Sequence, residues 1–207
     1  MSTPNSRVAV LQAAERVFAE RGFDGARMDD IAGEAKVNTA MIYYFFKNKE
    51  RLFQAVLDDM YTGLQAATKA ASSTASDPVE RFFAMVSGYF DYVDGRRTYP
   101  QIIQREVIGG GKFLGAIARH LEPMYKAGRG IITEAIKGGF FRKLDAGDLL
   151  LSAVAMTVFY FNSARLFGLV SKTAPLSRKK VAARKREIIE LLKRGVLTPS
   201  YSRAKRG

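Results

Sequence analysis

The chain has 207 residues, no cysteine and no tryptophan, and a formal net charge of +13. Without cysteine there is neither a disulfide framework nor a thiolate metal site, which removes the usual support of a small secreted fold. The length allows one small domain and one larger one, each able to bury a core. The charge invites a nucleic-acid reading, but it is uneven: residues 1–52 carry eight Lys/Arg against seven Asp/Glu, residues 53–171 thirteen against eleven, and residues 172–207 twelve against two. Affinity of the N-terminal part for a polyanion would therefore rest on a few placed cations and helix N-termini.

Taken in order, Thr3-Pro4 reads as an N-cap followed by proline at the first helical position. An amphipathic helix follows, with Val8, Leu11, Ala14, Val17 and Phe18 inward and Gly22 at its end. Two short helical segments, Met28 to Ala35 and Thr39 to Phe46, are separated only by Lys36, Val37 and Asn38, the connection of a helix-turn-helix. Asn38 stands where its side-chain oxygen can cap the second segment. At about 100° per residue, Met41, Ile42, Phe45 and Phe46 fall on one arc, and Thr39, Ala40, Tyr43 and Tyr44 on the other. The first arc can bury itself against Ile31, Ala32, Ala35, Val17 and Phe18. The second is small and hydroxylic, suited to a major groove, with Lys47 and Lys49 beside it for phosphates.

Asn48 then caps a long helix from Lys49 to about Ala70, striped by Leu52, Val56, Met60 and Leu64. After the polar break at Ser72–Ser76, Asp77-Pro78-Val79-Glu80 reads as a capped start of a helix to about Val93. Thr98 starts a shorter one through Ile108, ended by Gly109-Gly110-Gly111. Phe113 to Ile136 is helical in period, with a bend expected at Pro123. Asp145 caps an apolar helix to about Val170, and Ser177 a last one through Arg194. No strand pattern and no internal repeat is present, so the predicted class is all-α with about nine helices.

The first fifty-odd residues resemble the DNA-binding domain of the TetR family of bacterial transcriptional regulators (TetR/AcrR type). The resemblance is carried by Phe18-Ala19-Glu20-Arg21-Gly22-Phe23, Asp30-Ile31-Ala32, Val37-Asn38 and the run Ile42 to Leu52. It implies a three-helix head over residues 1–50 and a helical effector-binding and dimerisation body over 51–195. It further implies a homodimer that grips a palindromic operator as a repressor and is released by a small organic effector. Three departures stand out: Arg27 replaces the usual hydroxyl cap of the second helix, and could reach a phosphate; Lys36 replaces a glycine in the turn; and Ala40 replaces Gly or Pro. The expected DNA contacts are Arg27, Thr39, Ala40, Tyr43, Tyr44, Lys47 and Lys49.

In the body, the helix from Asp145 is apolar nearly all round and must be covered on several sides, one of them by a second copy in the family's manner. The lone histidine, His120, lies beside Ile117, Leu121 and Met124, and with no second metal-type partner it is not read as a metal ligand. By family analogy it joins Tyr89, Gln104, Arg105, Met124, Phe159, Tyr160 and Asn162 as an effector-pocket candidate. Residues 196–207 read as a basic tail without order. No paired carboxylates in an apolar pocket, no nucleophile beside a base and no strand-flanked phosphate loop is found, so the chain is not expected to be an enzyme or to carry a cofactor. The longest uncharged run, Leu149 to Ala164, falls short of the roughly 20 residues of a membrane span. With a polar N-terminal stretch, this places the chain in the cytoplasm as an expectation. A rival reading is a non-regulatory DNA-architectural protein that binds through its basic surface.

Overall fold

A computed structural model of the chain describes residues 4–73 and 75–204. The expected cap Thr3 lies outside them. Among the described residues there are ten α-helices, one more than expected: α1 Pro4–Gly25, α2 Met28–Ala35, α3 Thr39–Phe46, α4 Lys49–Ser73, α5 Pro78–Gly95, α6 Thr98–Ile108, α7 Leu114–Lys137, α8 Ala146–Ser171, α9 Arg178–Val196 and α10 Pro199–Ala204. They form two compact units. The first contains the chain through Thr62 and also residues 97–120; the second contains 63–96 and the residues from 121 onward. The boundary expected at residue 50 is thus displaced into α4. The unexpected member of the first unit is α6, which no local pattern could have assigned there.

Within the first unit, α1, α2 and α3 pack on one another, and α6 packs on α1. The inward face of α1 is Val10, Ala13, Ala14, Val17 and Phe18, all buried, whereas Val8 is exposed. Part of the expected face is therefore one position out of phase, because the close-packed side is lined by alanines. Phe18, Phe23, Phe53 and Phe113 form one aromatic cluster, with centroids 4.8 Å apart for Phe18 and Phe53, 4.8 Å for Phe23 and Phe113, and 4.5 Å for Phe53 and Phe113. Such edge-on and tilted pairs add to the area they bury. Polar bonds fix α6: the Thr98 hydroxyl donates to the Glu15 carboxylate, and Arg105 donates to the Ala19 carbonyl at 3.0 Å and the Glu20 carbonyl at 2.7 Å.

In the second unit α5, α8 and α9 pack together. Its core includes Phe82, Val86, Phe90, Val93, Ile132, Ala153, Ile188 and Leu192. Gly88 lets α5 approach α4 closely, since a β-carbon there would meet that of Ala71 at 2.8 Å. The stripe Leu52, Val56, Met60 and Leu64 is buried, as its spacing predicts. Asp77 and Asp145 act as N-caps, the first accepting from Glu80 N–H and the second from Gly147 and Asp148 N–H. Ser177 precedes α9 without a capping bond.

α8, Ala146–Ser171, has the expected extent, but the uncharged run within it understates its apolar length. At 26 residues it is long and apolar enough, by length and composition alone, to cross a membrane. One of its faces, Leu149, Ala153, Thr157, Phe161 and Ala164, is buried in the unit. The tail departs from expectation: residues 197–204 are held in place. Phe141 bridges to Leu197, Arg142 N–H donates to the Val196 carbonyl at 2.8 Å, Thr198 N–H donates to the Phe140 carbonyl at 3.0 Å, and the Tyr201 ring lies 5.3 Å from that of Phe140. These backbone bonds and the ring contact supply order that a count of charges does not register.

Candidate nucleic-acid interface

The α2–α3 turn is closed by a residue that sequence preference argues against. Lys36 adopts the left-handed conformation, φ 55° and ψ 43°. Its N–H donates to the Gly33 carbonyl at 3.2 Å, and Val37 N–H donates to the Ala32 carbonyl at 3.0 Å. This pair of bonds is a Schellman motif, which ends a helix and reverses the chain within three residues. Asn38 then starts α3, its side-chain oxygen accepting from Met41 N–H at 2.8 Å.

α3 is seated through Ile42 and Phe46, both buried, while Met41 and Phe45, expected inside with them, are only half-buried. Tyr43 and Tyr44 point outward, 47% and 66% exposed. Ala40 is exposed beside them. Thr39 is half-buried and its hydroxyl donates to Asp29 Oδ1 at 2.8 Å, so it braces α3 on α2 in this structure.

The acids of α2 are answered locally. Asp30 pairs with Arg21, Glu34 pairs with Arg16, and Asp29 accepts from Thr39. Arg27, Lys36 and Lys47 are exposed and make no ion pair among the described residues. A head that is almost neutral in total thus presents uncompensated cations around α3. Lys47 follows α3 at φ 66° and ψ −42°, where Asn48 N–H closes onto the Phe46 carbonyl at 2.8 Å in a γ-turn. Its ammonium lies 5.9 Å from the Tyr44 ring centre.

Lys49, expected at a phosphate, is committed elsewhere. Its ammonium donates to the Asp24 and Ala26 carbonyls at 3.3 and 3.1 Å and sits 4.6 Å from the Phe23 ring centre. Two cations were missed in the sequence: Lys36 itself, and Arg7, whose guanidinium stands over the Phe46 ring at 5.1 Å. Phe46 beside an arginine two helices earlier in the chain is a pairing that only the fold creates.

The effector-pocket candidates divide between the units. Gln104, Arg105 and His120 belong to the first, and Tyr89, Met124, Phe159, Tyr160 and Asn162 to the second. Arg105 is bound to the α1 carbonyls. His120 Nε2 donates to Asp58 Oδ1 at 2.9 Å, and its ring stacks on that of Tyr61 at 5.0 Å. Tyr89 is buried, Phe159 is exposed, and the Tyr160 hydroxyl donates to the Pro175 carbonyl.

A capped, solvent-facing second helix of a helix-turn-helix, with exposed cations beside it, is the arrangement of a DNA-binding regulator. Residues 10–56 match the family described as bacterial regulatory proteins, tetR family, and residues 78–192, more than half of the chain, match the tetracyclin repressor-like C-terminal domain. The chain belongs to the TetR family. It is 27% identical over 164 residues to the HTH-type transcriptional repressor NicS of Pseudomonas putida, covering 77% of each. It is 28% identical over 166 residues to the HTH-type transcriptional activator FasR of Mycolicibacterium smegmatis, covering 77% of this chain and 70% of that one. Its fold is similar to that of the ketosteroid transcriptional regulator KstR2 of Mycobacterium tuberculosis, with a TM-score of 0.78, 19% identity, and 95% and 97% of the two chains covered. It is also similar to AibR, solved with isovaleryl coenzyme A and operator DNA, with a TM-score of 0.73, 17% identity, and 90% and 97% covered.

Proposed function

We propose that the protein is a homodimeric repressor that holds a palindromic operator through two copies of α3 and releases it when the second unit binds a small organic effector. The observation that carries this reading is the division of α3 itself. Ile42 and Phe46 anchor it, while Tyr43 and Tyr44 stand in solvent with Ala40. The aromatic hydroxyls can reach base edges or phosphate oxygens, and Ala40 leaves room for close approach to the groove floor. Arg27, Lys36 and Lys47 supply the phosphate contacts that set register. Lys49 and Thr39 act one step back, holding α3 and the start of α4 in place.

The effector reading is supported by relatives: AibR was solved with an acyl-coenzyme A and operator DNA together. Tyr89, Met124, Tyr160 and Asn162 are the proposed lining in the second unit, of mixed apolar and hydroxylic character, whereas Phe159, expected with them, stands exposed on the outer face of α8. Repression is the proposed sign by analogy with NicS; the activator FasR matches this chain to a similar extent. The sites would be found in the cytoplasm, where operator and effector meet.

The test begins with selection of binding sites from a random DNA library, followed by footprinting on the site recovered. Tyr43→Ala and Tyr44→Ala should each weaken binding by about tenfold or more, the value of a good base-edge contact. Their thermal unfolding should match the unmodified protein, since both rings are outside. An unchanged footprint in the double variant would sink the assignment of α3 as the reading helix.

A further inference from the structure

The first unit contains a cavity of about 690 Å³ between the end of α1, α6 and the Gly109-Gly110-Gly111 turn. One wall is built around a buried acid. Glu106 is only 7% exposed, its carboxyl accepts from the Phe113 backbone N–H, and its Oε2 is buried with no hydrogen-bond partner. That oxygen occupies the space over Gly111 where a β-carbon would otherwise lie, which is why the turn needs a glycine at this position. A buried carboxylate oxygen without a donor costs free energy unless something answers it.

The rest of the wall leans the same way. Glu20 and Asp24 line the cavity, and Asp24 is close enough for its charge to act on Glu106. The C-terminal carbonyls of α1 face this region, adding partial negative charge. Two cations of the protein already use them, Arg105 at Ala19 and Glu20, and Lys49 at Asp24. Arg105 is engaged in that way through Nε and Nη2, and Arg21 pairs with Asp30 through Nη1. Among the described residues no group of three acids or histidines converges closely enough for a metal ion.

We propose that this cavity binds an organic cation, an amine or amidinium, which donates to the Glu106 carboxylate and is balanced by Asp24. Burial, with the Asp24 charge beside it, pushes the Glu106 carboxyl up from its ordinary range, against the weaker opposing pull of the Phe113 N–H and Lys112. A cation seated on Glu106 opposes both raising effects and so favours the ionised carboxylate. Such a ligand would touch α1 and α6 at once and so report on the contact that ties α6 to the helix-turn-helix. The assignment stands whether or not α3 reads DNA.

The full chain, without DNA, is titrated calorimetrically with benzamidine and agmatine, and with benzoate as the anionic counterpart of the same shape. Saturable one-to-one binding of at least one cation and none of benzoate is expected. Glu106→Gln and Asp24→Asn should each weaken binding by about tenfold or more, as loss of a charged hydrogen-bond partner does. Asp24 is exposed, so Asp24→Asn keeps the test intact should Glu106→Gln fail to fold. Absence of binding by both cations, binding of benzoate as well, or affinity unaltered in Asp24→Asn would overturn the proposal.

Discussion

At position 36 the backbone stands at φ 55° with a lysine where glycine is the usual choice. An L-residue in this region crowds its β-carbon against the following carbonyl, and the turn holds because two hydrogen bonds to Ala32 and Gly33 over-determine it. Lys36→Gly should therefore raise the unfolding free energy by roughly 0.5–1 kcal/mol, read by urea denaturation. Lys36→Ala, which keeps a β-carbon, should not. If Gly and Ala prove equal, the turn carries no left-handed cost. The glycine gain would come with a loss at the proposed DNA face, because the same residue brings one of the exposed cations beside α3. Lys47, at φ 66°, makes the same trade one turn after α3. Sequence reading found the helix caps Asn38, Asn48, Asp77 and Asp145, since each needs only a side chain three residues or fewer from its donor. It could not find that Lys49 turns back to Asp24 and Ala26, because those carbonyls lie more than twenty residues away along the chain.

Helices were legible as units because capping and hydrophobic period act locally, and the faces they bury were legible where large side chains mark them. The stripe of α4 was one such case. On α1 the expected Ala14, Val17 and Phe18 are buried, but Val10 and the small Ala13 complete the face where a reading weighted by bulk placed Val8. α8 offers a test at this scale. Its cap Asp145 accepts from Asp148 and Gly147 N–H, and these bonds hold the carboxyl below its usual range. A carboxyl with a depressed folded-state value contributes stability above the unfolded value and loses it as pH falls through the folded one. Unfolding followed from neutral pH down through the carboxylate range should thus show a falling stability that is shallower in Asp145→Asn. That variant retains an acceptor for the cap without the titrating charge. An identical pH slope in the two proteins would assign the acid sensitivity to other groups.

On the scale of the molecule, the sequence separated a head from a body at residue 50, whereas the first unit reclaims residues 97–120. The bonds responsible, Thr98 with Glu15 and Arg105 with Ala19 and Glu20, join residues more than eighty positions apart, a distance over which no periodicity speaks. The outer face of α8 is the opposite case, predicted from composition and evident in the structure. Leu151, Phe159, Leu166, Leu169 and Val170 are all exposed there, Leu169 at 74%. A patch of this kind marks a surface that meets a partner, and a second copy of the chain would give the proposed palindromic operator its two reading helices. Because these residues lie outside the core of a single chain, Leu166→Asp combined with Leu169→Asp should leave helix content and the unfolding transition of one chain in place while converting a dimer to a monomer in sedimentation equilibrium. Operator affinity should fall by roughly a hundredfold, the usual advantage of two linked contacts over one, since half-sites about one turn apart, roughly 34 Å, are then no longer gripped together. A double variant that still sediments as a dimer would move the interface off this face. A wild-type chain that binds its operator as a monomer would remove the need for an interface at all.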